Sequence, residues 1–240
     1  KNIISFDNLT SEFFGNKFIK NYREFNFFYK LFIDKTSYLL RLLGININTV
    51  PVLDLKIKGA NKVIGDRSFS RNPKIVSKIG DYCIKYFKEN RIGTVIKHIP
   101  GHGLAKVDSH LSTPFVTKKL DYLIKNDFIP FKNKQSLFAM TAHIVFTDID
   151  NKNTVTHSQK LIKLIRNRIG FKNILISDDL SMKSLKGPIK ENTIKTFKAG
   201  CNIVLHCNGN LKEMTVVGQN SPLVDRFITK KTSEFYKILS

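Results

Sequence analysis

Five short apolar runs recur along this chain, and each stops at a polar or ionisable side chain. Residues 50–53 run into Asp54, residues 94–96 into Lys97 and His98, and residues 136–145 carry His143 near their end. Residues 173–177 lead to Asp178 and Asp179, and residues 202–205 to His206. Helical apolar spacing fills the intervals, so strand and helix alternate about every 30 to 50 residues. A chain that returns to start each new parallel strand needs a connection long enough to hold a helix, so the pattern predicts a parallel sheet with crossover helices. Polar residues gathered where strands end point further, to a barrel whose chemistry lies at the carboxyl face of its strands. The expected class is therefore α/β, of the TIM (β/α)8 barrel family, with about five of the eight strands present.

The helices are read from their apolar stripes and end signals. Residues 1–17 are polar with scattered aromatics and read as loop. Phe27, Phe28, Leu31, Phe32, Tyr38, Leu39 and Leu42 suit one helix or two short ones over residues 18–43, stopped by Gly44. Asn72 and Pro73 form a cap and first helical residue for the stripe Ile75, Val76, Ile79, Cys83, Tyr86 and Phe87. Further helices are expected over 118–126, from a capping box at Thr156–Gln159 to Ile169, over 192–199 before Gly200, and over 223–239. Residues 45–53 read as one strand, and 136–145 as another.

The densest chemistry lies in K-H-I-P-G-H-G-L-A-K-V-D-S-H, residues 97–110, which leaves the end of a buried strand. A structural loop needs glycine and proline but has little use for His98, His102 and His110 together with Asp108 and Lys97. Zinc is not expected from these histidines, because Pro100 and the glycines on either side of His102 prevent the helix that would align them. His102 reads as loop-structuring, and His143 as a core residue or one that supports the site's residues from behind. A second stretch, I-L-I-S-D-D-L-S-M, places a carboxylate directly after a buried strand, where it can serve as a nucleophile or, as a helix cap, do no chemistry.

Composition narrows the alternatives. No apolar run reaches the roughly 18 residues a membrane span needs. Cys83, Cys201 and Cys207 are odd in number and scattered, which suits a reducing cytoplasm and neither a disulfide framework nor a zinc site. The net charge of +21 comes from lysines spread along the chain without a compact basic block, so a solvated basic surface is expected and no nucleic-acid partner. A catalytically silent polyanion-binding protein is the competing reading, and steep salt dependence of DNA binding would favour it.

Taken together, K-H-I-P-G-H-G, D-S-H and S-D-D-L-S-M closely resemble the bacterial β-N-acetylhexosaminidases of glycoside hydrolase family 3. P-V-L-D, I-G-D-R-S-F, T-A-H and A-G-C-N-I-V-L match in order along the chain. The resemblance implies a cytoplasmic retaining exo-glycosidase of cell-wall recycling, a monomer without cofactor or metal. Its substrate would be N-acetylglucosaminyl-anhydromuramyl peptides, from which it removes terminal N-acetyl-β-glucosamine. A related β-glycosidase or phosphorylase is the alternative within the family. By motif position Asp178 is the nucleophile, His110 the general acid/base and Asp108 its orienting partner. Arg67, Lys97 and His98 hold sugar hydroxyls, and Asp179 is structural. An imidazole, with an unperturbed pKa near 6.5, can donate and accept a proton at neutral pH. The family's V-D-Q-E-G-G motif has no counterpart here, which implies a chain that begins after it. Residues 1–240 are then expected to form one incomplete TIM-barrel catalytic domain, whose five strands alone leave sheet edges and core surface bare, making the isolated chain unstable or prone to aggregate and of little activity.

Overall fold

The computed structural model describes residues 8–61 and 63–239. Five parallel strands form one curled sheet in the order β1 (Ile47–Asn48), β2 (Gly93–Ile99), β4 (Phe138–Thr141), β6 (Ile174–Asp179) and β7 (Ile203–Leu205). The expected strand over 45–53 is thus short, with only an isolated Val52–Lys97 bridge beyond it. The expected strand over 136–145 divides. Its first part is β4, whereas Val145 opens β5 (Val145–Phe146), which pairs with β3 (Phe115–Val116) in a separate two-stranded ladder.

Register assigns the two faces. Val95, Phe138 and Ile174 lie side by side across the sheet, and so do Ile96, Ala139 and Leu175. The second row joins the large core beneath the crossover helices, with Val76, Ile79, Cys83, Leu161 and Ile165. The helices there are α3 (Pro73–Glu89), α4 (Leu120–Lys125) and α5 (Gln159–Leu164). α3 starts as read, with Asn72 accepting from the backbone of Lys74 and Ile75 and Pro73 in the first turn.

Val95, Phe138 and Ile174 face the opposite, inner side, where Phe235 of α8 (Arg226–Leu239) packs against them with Phe227 and Leu239 beside it. The C-terminal helix therefore covers part of the inner surface that five strands would otherwise leave bare. It reaches the amino-terminal end of the sheet, since a Cβ on Gly93 would stand 2.6 Å from the Phe235 ring. The carboxyl ends stay clear of that contact.

Several expectations at helix boundaries are corrected. Part of the loop expected over 1–17 is helix: α1 (Ser11–Lys20) begins where Thr10 accepts from Phe13, while residues 1–7 lie outside the described residues. Asn21 caps the next helix, α2 (Tyr22–Leu42), so the region forms two helices. The cap of α5 is Ser158 and not Thr156, whose hydroxyl is taken by His143. α6 spans Ile189–Ala199 and ends at Gly200 in the left-handed region (φ 112°), as read. α7 (Leu211–Gln219), capped by Asn210, was not anticipated, because its exposed turns bury no residue and leave no stripe to read.

Candidate active site at the carboxyl ends of the strands

The site is assembled on Asp54, just beyond the Val52 bridge to β2. It is 1% exposed and receives the backbone N–H groups of His98, at 3.2 Å, and His102, at 2.6 Å. Nδ1 of His98 lies 2.7 Å from its Oδ2. Burial pushes this carboxyl up, but the charges of His98 and His102 and their hydrogen bonds outweigh it and hold Asp54 below the usual carboxylate range. One buried anion thus orients a ring and anchors the loop that carries it. Gly103 allows the close approach: a Cβ there would stand 2.4 Å from the Leu55 carbonyl oxygen.

With Nδ1 of His98 held by Asp54, its Nε2 points toward Asp178, 3.9 Å from Oδ2. Asp178 stands near the end of β6 and accepts from the Asp179 backbone N–H at 2.8 Å. Its carboxyl too is raised by burial and lowered by more: by the charges of His98 and His143, that N–H, and the Lys97 ammonium. It remains an anion in a half-dry site. Lys97 lies level with Met140 across the sheet, on the inner face, and its Nζ donates to Thr49 at 3.2 Å. Burial, then the nearby Arg67, lowers its pKa, while Asp178 and Asp54 act the other way. Arg67, in a 3-10 turn over Gly65–Arg67, donates to the Val63 carbonyl. Arg67 and Lys97 share the wall of a cavity of about 340 Å³ whose remaining lining is largely apolar, including Phe14, Tyr29 and Phe69. Asp178 and His98 are outside its lining, so the cavity adjoins the charged cluster without containing it.

His110 and Asp108 form their own pair. Nδ1 of His110 lies 2.7 Å from Oδ1 of Asp108, which also accepts the His110 backbone N–H at 2.8 Å. The histidine side chain is 62% exposed. Burial raises the Asp108 carboxyl slightly against the hydrogen bonds and charge of His110, which together bring it below its ordinary value. Among the described residues no hydrogen bond or ion pair joins this pair to Asp178. The sequence-predicted residues therefore fall into two groups: Asp178, His98, Lys97 and Arg67 in one electrostatic cluster, and His110 with Asp108 on the exposed loop between β2 and β3.

The neighbours have separate tasks. Asp179 uses both oxygens on Ser181 and on the Cys207 N–H, tying the β6 and β7 ends together. His143 is fully buried, with Nε2 3.1 Å from the Asp179 carbonyl and Nδ1 2.7 Å from the Thr156 hydroxyl. Burial lowers its pKa, so it is neutral, donating through Nε2 and accepting at Nδ1. His102, lowered to about 4 by burial and then by His98, meets Ser109 through Nε2 at 3.1 Å. Among the described residues no group of histidine, cysteine and carboxylate side chains could hold a metal ion.

Asp127 was not anticipated. It is 2% exposed, its oxygens have no partner among the described residues, and it packs against Gly101 of the active-site loop. Burial, then the Asp54 charge, raises its pKa to about 7. A lone carboxylate ahead of the apolar run Phe128–Phe131 was the available signal. That it faces Gly101 was not readable.

Residues 32–228 match the family described as the glycosyl hydrolase family 3 N-terminal domain. The chain belongs to this family. Within it, the chain is 34% identical over 210 residues to a β-hexosaminidase of Photobacterium profundum, covering 83% of this chain and 62% of that protein. It is 36% identical over 198 residues to a β-hexosaminidase of Neisseria gonorrhoeae, covering 78% and 55%. The crystal structure of Neisseria gonorrhoeae NagZ in complex with N-trifluoroacetyl-D-glucosamine superposes with a TM-score of 0.84 at 29% identity, over 94% of this chain and 66% of that one. The chain thus spans between about half and two thirds of these family 3 relatives. The five parallel strands are those of a TIM-type barrel, as expected. No described helix is long and apolar enough to cross a membrane.

Proposed function

We propose that the chain carries most of the catalytic domain of a retaining β-N-acetylhexosaminidase acting in the cytoplasm. The carrying observation is Asp178, an anion held near the end of β6 and flanked by His98 and Lys97. In the proposed reaction a carboxylate oxygen of Asp178 attacks the anomeric carbon of a terminal N-acetyl-β-glucosaminyl unit from the face opposite the leaving group. The glycosidic bond breaks as a C–O bond to Asp178 forms, and His110 gives its Nε2 proton to the departing oxygen. Asp108, bound at Nδ1, fixes the ring so that Nε2 is the atom that moves the proton. Water then attacks the glycosyl ester, His110 takes its proton, and Asp178 leaves as a carboxylate with configuration retained. His98 and Lys97, with Arg67, hold the sugar hydroxyls, and their positive edges keep Asp178 ionised between turnovers.

The substrate read from motif resemblance is an N-acetylglucosaminyl-anhydromuramyl peptide of cell-wall recycling, bound by a monomer. The β-hexosaminidase names of the relatives support the sugar class. The test is exposure to a 5-fluorinated N-acetyl-β-glucosaminyl fluoride followed by intact-mass and peptide mapping. In a protein that supplies all eight barrel strands, a single added sugar on Asp178, absent in Asp178→Asn, together with release of 4-nitrophenol from 4-nitrophenyl N-acetyl-β-glucosaminide, is the expected result. A label on another carboxylate, or turnover that survives Asp178→Asn, sinks the assignment.

A further inference from the structure

Three loops meet beside the ladder of β3 and β5 around a small cavity that the reaction above does not use. It measures about 190 Å³. Its lining includes Thr154 and Ser184, which are 6% and 2% exposed and whose hydroxyl oxygens have no partner among the described residues. His157 lines it as well, and its Nε2 is buried without a partner. Lys152, Lys186 and Lys195 line it too, with Phe115, Val145 and Leu185 on its apolar side. Lys195 reaches Glu191 at 3.3 Å, whereas Lys152 and Lys186 have no ion-pair partner among the described residues. Asp150, two residues before Lys152, already accepts from Ser158 and Asn153.

Hydroxyls buried without partners are costly, so native proteins keep them where something fills the remaining bond. Here the polar groups around the space include two hydroxyls able to donate, one imidazole and three lysines, set beside Phe115, Val145 and Leu185. The polar set is complementary to a compact oxyanion and has little to offer a cationic guest. We propose that this cavity is a binding site for a tetrahedral oxyanion of the phosphate class, free or as the terminal group of a small phosphorylated metabolite. His157 adds a reporter. Burial first, with the charges of His143 and Lys195, depresses its pKa to about 4, and a bound anion reverses part of that depression.

The position gives the site a consequence. The Thr113 hydroxyl donates to the Ser184 carbonyl at 2.8 Å, joining the loop that carries His110 to the loop that follows Asp178. Thr156, next to His157, holds His143, which in turn bonds the Asp179 carbonyl. An oxyanion in the cavity fastens the base of both loops from outside the reacting centre. None of its lining residues belongs to the Asp178 cluster, so an anion can occupy it without displacing a sugar there.

The experiment follows the His157 ring by NMR in the full chain while inorganic phosphate replaces chloride at constant ionic strength. The expected result is saturable shifts and a rise of His157 pKa by about one unit, with binding weakened at least about tenfold in the double variant Ser184→Ala, Lys195→Gln. A second arm uses glucose 6-phosphate. Equal binding identifies the terminal group of a larger ligand as the guest, and exclusion identifies free phosphate. No saturable change in His157, or an unchanged response in a folded double variant, overturns the proposal and leaves a water-filled cavity under a basic surface. Should the double variant not fold, Lys152→Gln with Lys186→Gln, both surface substitutions, provides the same comparison.

Discussion

The His98 ring bridges two carboxylates: its Nδ1 lies 2.7 Å from Asp54 and its Nε2 lies 3.9 Å from Asp178. One anion is fully buried and fixes the ring, and the other is partly buried, its side chain 19% exposed at the carboxyl ends of the strands. The pairing helps two carboxylates stay ionised in a protected site. Each is raised by burial, and the His98 charge leads the several influences that together lower it by more.

Asp54→Asn removes the anion while keeping the shape. The substitution leaves the His98 ring and the His102 backbone N–H with a weaker acceptor, and breaking a buried charged pair costs about 3–5 kcal/mol. Urea unfolding is expected to show a loss of that order, with the 97–103 loop gaining fast amide exchange. A change below about 1 kcal/mol would mean that the loop holds without the carboxylate.

Acid sensitivity follows from buried groups of opposite sign. His102 and His157 have folded pKa values of about 4 against an ordinary 6.5, so between those values the unfolded chain binds two protons that the folded chain does not. Stability from them is complete above pH 6.5 and is lost as pH falls toward 4, and buried His143 adds in the same direction. Asp127 opposes them. Raised to about 7 from an ordinary 3.8, it keeps a proton in the folded state that the unfolded chain has released, so its contribution falls as pH rises. Two protons against one leave a net slope of at least about 1.4 kcal/mol per pH unit. In Asp127→Asn the opposing proton disappears, and the slope is expected to steepen by about 1.4 kcal/mol per pH unit while stability near pH 7 rises. Urea midpoints between pH 4.5 and 7.5 measure both, and an unchanged slope would refute the account of Asp127.

The contact between α8 and β2 is testable by a mutant cycle. Gly93→Ala places a methyl 2.6 Å from Phe235 Cε2, and overpacking of that kind costs about 1–3 kcal/mol. In a Phe235→Leu background the same alanine is expected to cost nothing or to stabilise, since strand alanine is otherwise preferred to glycine. Equal costs in both backgrounds would place α8 away from the inner face.

His110→Ala separates proton donation from nucleophilic attack. In single-turnover glycosylation the variant is expected to slow release of a poor alcohol leaving group by about 10²–10⁴-fold and of a fluoride or nitrophenolate far less. A uniform loss across leaving groups would make His110 a positioning residue and send the search for the acid elsewhere.

Most of the strands and the residues at their carboxyl ends were legible, because burial on both faces leaves an unbroken apolar run and the run's end marks where chemistry can sit. The α3 cap and stripe were readable for the same local reason. The short exposed helix α7 was not, since a helix without a buried face leaves no period. Nor was the break at Ala142–Ile144 between β4 and β5, because hydrogen-bond pairing with a distant segment, and not local pattern, decides where an apolar run leaves one sheet for another.

What the sequence by itself determined was the alternation of strand and helix and the identity of the ionisable groups, both of which depend on side-chain type and spacing. Tertiary structure alone decided that Asp54 is the anchor of the site, that Asp127 lies behind Gly101, and that α8 covers the inner face. Each of these pairs residues that are distant in the chain. Burial, which sets the protonation of a carboxylate or imidazole, exists only once those distant segments have packed.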